Sequence, residues 1–224
     1  QEVGAVDETN ELTALGRKLA RLPLDPRVGR MILAAVDNDC LNEMLVIASA
    51  LSVQDPRERP MDRQQAADQA HAQWKDVDSD FAALINLWRG FEEKRQELGS
   101  NPLRTWCKKN FLNYMRLREW RDVHSQLLTI VKEQGWRLNG AAATYEQLHM
   151  ALLTGLLGNI GFKGEDEPGA GYLGARGIKF HVWPGSSLTK KPGKWIMAAE
   201  LVETTRLYAR CVAQIQPEWI EKIG

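Results

Sequence analysis

Two stretches of the chain combine cationic and aromatic side chains densely enough to hold a polyanion. Residues 104–121 carry Arg104, Lys108, Lys109, Arg116, Arg118 and Arg121 against a single acid, Glu119, with Trp106, Phe111, Tyr114 and Trp120 among them. Residues 176–194 carry Arg176, Lys179, Lys190, Lys191 and Lys194 with no acid, around Phe180 and Trp183, and Trp195 follows. Phosphates are held by Lys and Arg, and unpaired bases need flat faces to stack on. A basic helix face over aromatic core residues is also what any solvated helix looks like. It is the coincidence of two such blocks that points to single-stranded nucleic acid.

Other chemistries are poorly served. Gly185-Ser186-Ser187-Leu188-Thr189-Lys190 imitates a phosphate-binding loop, but the glycine before the lysine is missing. It also falls between two strand-like runs, whereas such a loop aims its amides from a helix N-terminus. No GxSxG or HExxH motif occurs, and no Cys/His pair suggests a nucleophile. Cys40, Cys107 and Cys211 are three, far apart and without CxxC spacing, which disfavours a closed disulfide framework and fits a reducing, cytoplasmic setting. His71, His124, His149 and His181 are as dispersed, so no metal site is assigned. Glu92 and Glu93 are adjacent on a helix and diverge, which is unsuited to paired acid/base work.

Against this background the net charge misleads. Lys plus Arg is 29 and Asp plus Glu is 29, giving zero over 224 residues. Resolved along the chain, the acids gather at residues 1–11, at 54–97 and in Glu165-Asp166-Glu167. Charge distribution, not the total, decides binding to nucleic acid. With 44% hydrophobic and 26% charged residues the composition is that of an ordinary globular chain. No apolar run reaches the length of a membrane span, so no membrane partner is expected. The acidic N-terminal stretch lacks the character of an export signal, and a Gln1 start running into a helix suggests a piece of a longer protein.

The elements that must position the basic blocks fall into two parts. Leu12, Leu15, Leu19 and Leu22 give an amphipathic helix over 12–22, ended by Pro23. Asp25-Pro26 reads as a cap with proline at the first helical position. Residues 42–53 predict a helix buried on most sides. Residues 54–78 begin as a loop and become a solvated helix after Asp62. Ser79-Asp80 caps a helix with Phe81, Leu84, Ile85, Trp88 and Phe91 on one stripe, stopped near Gly99. Asn101-Pro102 starts another, whose stripe runs Leu103, Trp106, Cys107, Phe111, Tyr114 and Met115; Trp88 and Trp106 are read as core. Thr144-x-x-Gln147 is a capping box. After Gly158 the chain becomes rich in glycine. Ile178, Phe180 and Val182 alternate with polar residues, 195–200 and 207–215 read as strands, and Pro217-Glu218 opens a terminal helix. Helices followed by short strands predict an α+β fold: a helical bundle, then a small β-barrel.

LTALGRKLARLPLDPRVGRMILAA (12–35), SDFAALINLWRGFEE (79–93) and WCKKNFLNYMRLREWRDVHSQL (106–127) resemble the helicase-associated region of DEAH-box RNA helicases. The last stretch, PGSSLTKKPGKWIMAAELVETTRLYARCVAQIQPEWIE, is most similar to the bacterial HrpA-type members. The resemblance covers nearly the whole chain, in order. It implies a winged-helix remnant over 1–27, a helical ratchet domain over 28–150, and an OB-fold barrel with a C-terminal helix over 151–224. It also implies two motor domains before residue 1 that would carry the phosphate-binding loop and DEAH box, and with them ATP and Mg; no cofactor is expected in this chain, which alone should be inactive as an ATPase.

The function so implied is that of an RNA-gripping accessory module, helping to form the single-stranded RNA channel of an ATP-dependent 3′–5′ RNA helicase. Its partners would be single-stranded RNA and the motor domains of the same protein. A ribosome or protein activator is the further partner expected of the alternative reading, a protein-docking module for which RNA contact is incidental. In the bundle, Lys109, Asn110, Asn113 and Arg116, placed on the WCxxNF helix, would line the channel, with capping or interhelix contacts as the competing role for the two asparagines. On the barrel, Arg176, Lys179, Lys190, Lys191 and Lys194 would contact phosphates. Ser186 and Ser187 occupy a family turn after a strand, where their hydroxyls would bond phosphate or sugar. Many members follow a His directly with Pro and two serines; here Val182-Trp183 separates His181 from Pro184.

Overall fold

The computed structural model describes residues 13–164, 171–189, 191 and 193–224. The described chain is helical up to residue 159 and ends in a closed five-stranded barrel followed by a short helix, as the α+β expectation held. Contacts divide it into two compact units, each made of two segments: residues 1–55 with 115–155, and 56–114 with 156–224. The helices of residues 56–114, inside the expected 28–150 region, thus group with the barrel.

The first unit is helical. Helix α1 is described over residues 13–19, with Leu15 and Leu19 buried and Leu12 outside the described residues. Then come α2 (Val28–Asp37), α3 (Leu41–Leu51), α7 (Tyr114–Glu133) and α8 (Tyr145–Leu156). Helix α2 starts two residues later than Asp25-Pro26 suggests. Asp25 still acts as the local acceptor, taking the Arg27 N–H at 2.9 Å, and the Arg27 guanidinium closes on the same carboxylate. That hydrogen bond and charge hold the Asp25 carboxyl below its usual range, against an opposing effect of burial. Helix α3 is buried on nearly every side. Its neighbour Trp120 of α7 donates from Nε1 to Val46 O and Ser49 Oγ, both at 3.0 Å. The buried Glu43 accepts from Asn139 Nδ2 at 2.9 Å and from the Ala143 N–H at 2.8 Å, tying the connection after α7 to α3. The capping box forms in both directions: Gln147 N–H donates to Thr144 Oγ1, and Thr144 N–H to Gln147 Oε1.

The second unit holds α4 (Gln64–His71), α5 (Asp80–Glu97), α6 (Ser100–Lys109) and the barrel. Ser79 caps α5, its Oγ accepting from the Ala82 N–H at 3.1 Å. Gly99, expected as a stop, is the residue before α6, so Pro102 sits inside the first turn and the cap falls two residues ahead of Asn101. The expected aromatic stripe from Leu103 to Met115 does not run on. Helix α6 ends at Lys109, Phe111 adopts a φ of 54°, and Met115 is largely exposed. An antiparallel bridge explains the break: Leu112 pairs with Arg57, Glu58 N–H donates to Phe111 O, and Asn113 N–H donates to Pro56 O. Backbone groups spent on that bridge cannot continue a helix.

Five strands close the barrel in the order β1-β2-β3-β5-β4: β1 (Ile160–Phe162), β2 (Tyr172–Leu173), β3 (Lys179–Val182), β4 (Trp195–Glu203) and β5 (Leu207–Gln214). Neighbours are antiparallel except β3 and β5, which are parallel. Helix α9 (Pro217–Ile223) follows, with Trp219 buried. Inside lie Tyr172, Phe180, Leu188, Ile196, Ala198, Ala209 and Val212. Phe180 is completely buried, and a Cβ on Gly161 would stand 2.3 Å from its Cζ. Burial also pushes the Tyr172 hydroxyl up to about 12.

Gly161→Ala should therefore lower the melting temperature by an amount equivalent to about 1–3 kcal/mol of overpacking. Gly158→Ala, where no atom comes within 4 Å of the new methyl, serves as the neutral control in the same thermal unfolding experiment.

Candidate nucleic-acid interface

The second basic block is carried by the β2–β3 turn, β3 and the β3–β4 connection. Arg176 is exposed in the turn Ala175–Gly177, with a φ of 58°. Lys179 opens β3 and faces outward. Lys191 and Lys194 are exposed near the end of the connection; Lys190 lies outside the described residues, as does the acidic run 165–167. Lys163 joins this group although nothing in the sequence marks it, since the acidic run follows it. Its N–H donates to Lys194 O at 2.8 Å, which brings the two lysines side by side.

A buried carboxylate fixes the connection that carries these lysines. Asp80, the first residue of α5, is 4% exposed. Its Oδ1 accepts the Ser187 N–H at 2.7 Å, and its Oδ2 accepts both the Ser186 hydroxyl and the Val212 N–H, the latter at 2.9 Å. One side chain thus binds the start of α5 to the turn after β3 and to β5. Ser79 pairs with Ala213, and Gln214 N–H donates to Asp78 O, so three successive residues grip the same strand. Farther along, Leu188 plugs the barrel interior, Gln214 Nε2 donates to Lys191 O at 3.0 Å, and the Tyr172 hydroxyl donates to Gly193 O.

This corrects the role expected of Ser186. The Ser186 hydroxyl donates to Asp80 and accepts the Leu188 N–H at 3.1 Å, and the residue is buried. Ser187 contributes its backbone N–H to the same carboxylate. Ser186 is structural; it holds the loop and is not presented to a phosphate. The apparent phosphate-binding loop runs from β3 to β4 and leads into no helix, and the helix start it meets, that of α5, presents the Asp80 carboxylate to it.

The first basic block is rearranged more deeply. Lys109 is exposed at the end of α6, and Asn110 follows as its cap. Asn110 Nδ2 donates to Trp106 O at 2.9 Å, and its Oδ1 accepts from Gln73 Nε2 at 3.0 Å. That is the capping role weighed against channel lining. Asn113 lies beyond the helix with its N–H on Pro56 O. Arg116 is not on that helix at all. It belongs to α7, where its guanidinium donates to Asp55 O at 3.2 Å. The break at Asn110–Phe111 separates residues that their spacing had placed on one face. Arg104 lies over the Tyr114 ring, and Arg63 over Phe111.

Burial, reinforced by Glu43 and Asp39, pushes the Cys40 thiol up to about 12, and burial alone brings Cys107 to about 11, so both are poor thiolates. Among the described residues no cluster of His, Cys, Asp and Glu has metal-binding geometry. No described helix is long and apolar enough to cross a membrane.

Residues 148–224 match the oligonucleotide/oligosaccharide-binding (OB)-fold family, 25–84 the ratchet-like helicase associated domain (HA2), and 1–24 the winged-helix helicase associated domain. The chain is 49% identical over its full length to the ATP-dependent RNA helicase HrpA of Escherichia coli. This chain belongs to the helicase-associated region of the DEAH-box RNA helicases. It is also 49% identical over its full length to the HrpA homolog of Haemophilus influenzae, and 27% identical over 99% of its length to the pre-mRNA-splicing factor ATP-dependent RNA helicase prp22 of Schizosaccharomyces pombe. It spans 18% of the length of each of these relatives.

Asp80→Ala should destabilise the chain by roughly 3 kcal/mol, because three donors lose a charged acceptor in a buried place. Asp80→Asn should cost less, as it keeps one acceptor oxygen. Denaturant midpoints of the two variants measure the difference.

Proposed function

We propose that the chain is the RNA-gripping accessory module of an ATP-dependent 3′–5′ RNA helicase. In this reading it contributes a wall of the single-stranded RNA channel, and motor domains elsewhere in the protein bind ATP and Mg and drive the strand. The sequence boundaries near residues 27 and 150 mark its winged-helix, ratchet and barrel modules. The observation that carries the reading is the exposed group Arg176, Lys179, Lys191 and Lys194, with the half-buried Lys163 beside it, on an OB-type barrel. Lysines and arginines so placed attract phosphate irrespective of base, as a module that grips a passing strand requires.

Of the residues first considered, Arg176, Lys179, Lys190, Lys191 and Lys194 keep the phosphate role on the barrel. Lys109 keeps it on the helical side. Asn110 and Arg116 are assigned to the hydrogen bonds described above, and Ser186 to the Asp80 clamp.

The full chain should bind single-stranded RNA weakly, with affinity that falls steeply as salt rises. Replacing Lys190, Lys191 and Lys194 together with Ala should flatten the plot of log K against log salt by about 0.7 for each lost phosphate contact. A triple variant with the parental slope would remove this loop from the RNA site. Loss of RNA binding by the whole chain, with an activator or ribosomal surface bound instead, would favour the docking reading.

A further inference from the structure

The barrel wall is covered over much of its outer surface. Met197, Ala199 and Ala213 point away from the interior yet are at most 4% exposed, with Ser79 paired to Ala213 and Asn159 Nδ2 donating to Ala199 O. A row across β4, β1, β2 and β3 is open. Trp195 of β4 stands opposite Phe162 of β1, Phe162 opposite Leu173 of β2, and Leu173 opposite Lys179 of β3. Directly paired residues share a face of a sheet. The adjacent pairs, Ile196 with Gly161 and Phe180 with Tyr172, make the matching row inside.

The open row is apolar where an outer barrel face is ordinarily polar. Phe162 is 37% exposed and Leu173 49% exposed. The rings of Phe162 and Trp195 lie 4.7 Å apart, tilted by 41°. Cations frame them along the chain: Lys163 follows Phe162, Lys194 precedes Trp195, and Lys179 ends the row. Glu165, Asp166 and Glu167 follow Lys163 and Gly164 in the sequence and lie outside the described residues. A row across four strands measures about 14 Å at the usual strand spacing.

Resting on the RNA-gripping reading, we infer that Phe162 and Trp195 form a stacking platform for unpaired RNA bases, with Leu173 as its apolar floor and Lys163, Lys179 and Lys194 holding the phosphates beside it. Flat rings, Phe162 exposed and Trp195 half-buried, beside cations match a strand whose bases are free and whose backbone is anionic. A duplex hides its bases and offers the platform nothing. Stacking is tolerant of base identity, since every base has a π-face.

The test uses the full 224-residue chain with a ten-nucleotide RNA and an abasic sugar-phosphate strand of equal length. Phe162→Leu and Trp195→Leu keep apolar bulk and remove the flat face. Each should weaken RNA binding by about fivefold or more, with abasic binding and the salt slope unchanged. Trp195→Phe, which keeps a ring, should retain most of the affinity. Equal losses on both strands, or none on either, would overturn the platform. So would a polyglutamate peptide that competes as well as the RNA. A parental chain that binds RNA with a salt slope while the leucine variants match it overturns the platform alone; a parental chain that binds neither strand overturns the RNA reading as well. Photocrosslinking of a 4-thiouridine RNA to the unsubstituted chain, mapped by mass spectrometry, needs no variant to fold: adducts at Phe162 or Trp195 support the platform, and adducts confined to other residues overturn it.

Discussion

The Asp80 carboxylate is the contact on which the second unit depends. A carboxylate buried without partners would be prohibitively costly, whereas one that accepts three hydrogen bonds becomes a rigid junction. Its position at the start of α5 adds a favourable interaction with the helix dipole. From that point the helix, the turn after β3 and the middle of β5 are fixed relative to one another. The β3–β4 connection is long and mostly irregular, and it would be loose without this anchor. With Asp80 at one end, Leu188 in the barrel and Gln214 at the other end, Lys191 and Lys194 are held on the barrel surface by a backbone that is itself tied down.

Barrel closure imposes the second constraint. Strands of two and three residues cannot bury much surface alone, so the interior relies on a few large side chains. Phe180 fills the space that Gly161 leaves vacant, and Tyr172 stacks beside it at 6.0 Å between ring centroids. Because the strand period is two, filling the inside with Tyr172, Phe180 and Ile196 forces Leu173, Lys179 and Trp195 to the outside. The exposed apolar row is therefore a geometric consequence of core packing in its placement. Its chemistry is not: polar residues would satisfy the fold at those outward positions equally well.

Legibility from sequence followed the range of the interactions. The Thr144–Gln147 box and the Ser79 cap were readable because both partners sit three residues apart, the spacing one helical turn dictates. Strand β3 was readable from its alternation and β4 and β5 as strand-like runs, whereas β1 and β2, three and two residues long, carry too few residues to show a period. Helix α6 was extended too far because its stop depends on Leu112 pairing with Arg57, 55 residues earlier, and no local breaker stands at Asn110 or Phe111. The Ser186–Asp80 contact joins residues 106 apart, so Ser186 read as a free hydroxyl and Asp80 as no more than a helix cap. Lys163 was missed for the same reason: the acidic run 165–167 follows close after it in sequence, and its neighbour in space is Lys194.

Zero net charge acquires a definite physical meaning once the cations are located. The basic side chains on the barrel lie at its surface, so each contributes little at physiological salt, and their effect fades within about 8 Å. Acids elsewhere on the chain limit the long-range attraction that a uniformly basic protein would exert on any polyanion. Under the proposed reading, such a surface holds a strand through several weak, base-independent contacts. Weak contacts of one kind can be exchanged from one nucleotide to the next at little free-energy difference, whereas a single strong or base-specific site would trap the strand. The rigid anchorage by Asp80 and the tolerant contacts outside it are then complementary: the loop does not have to be ordered anew each time the strand advances, and so the modest binding energy is not consumed by ordering the protein.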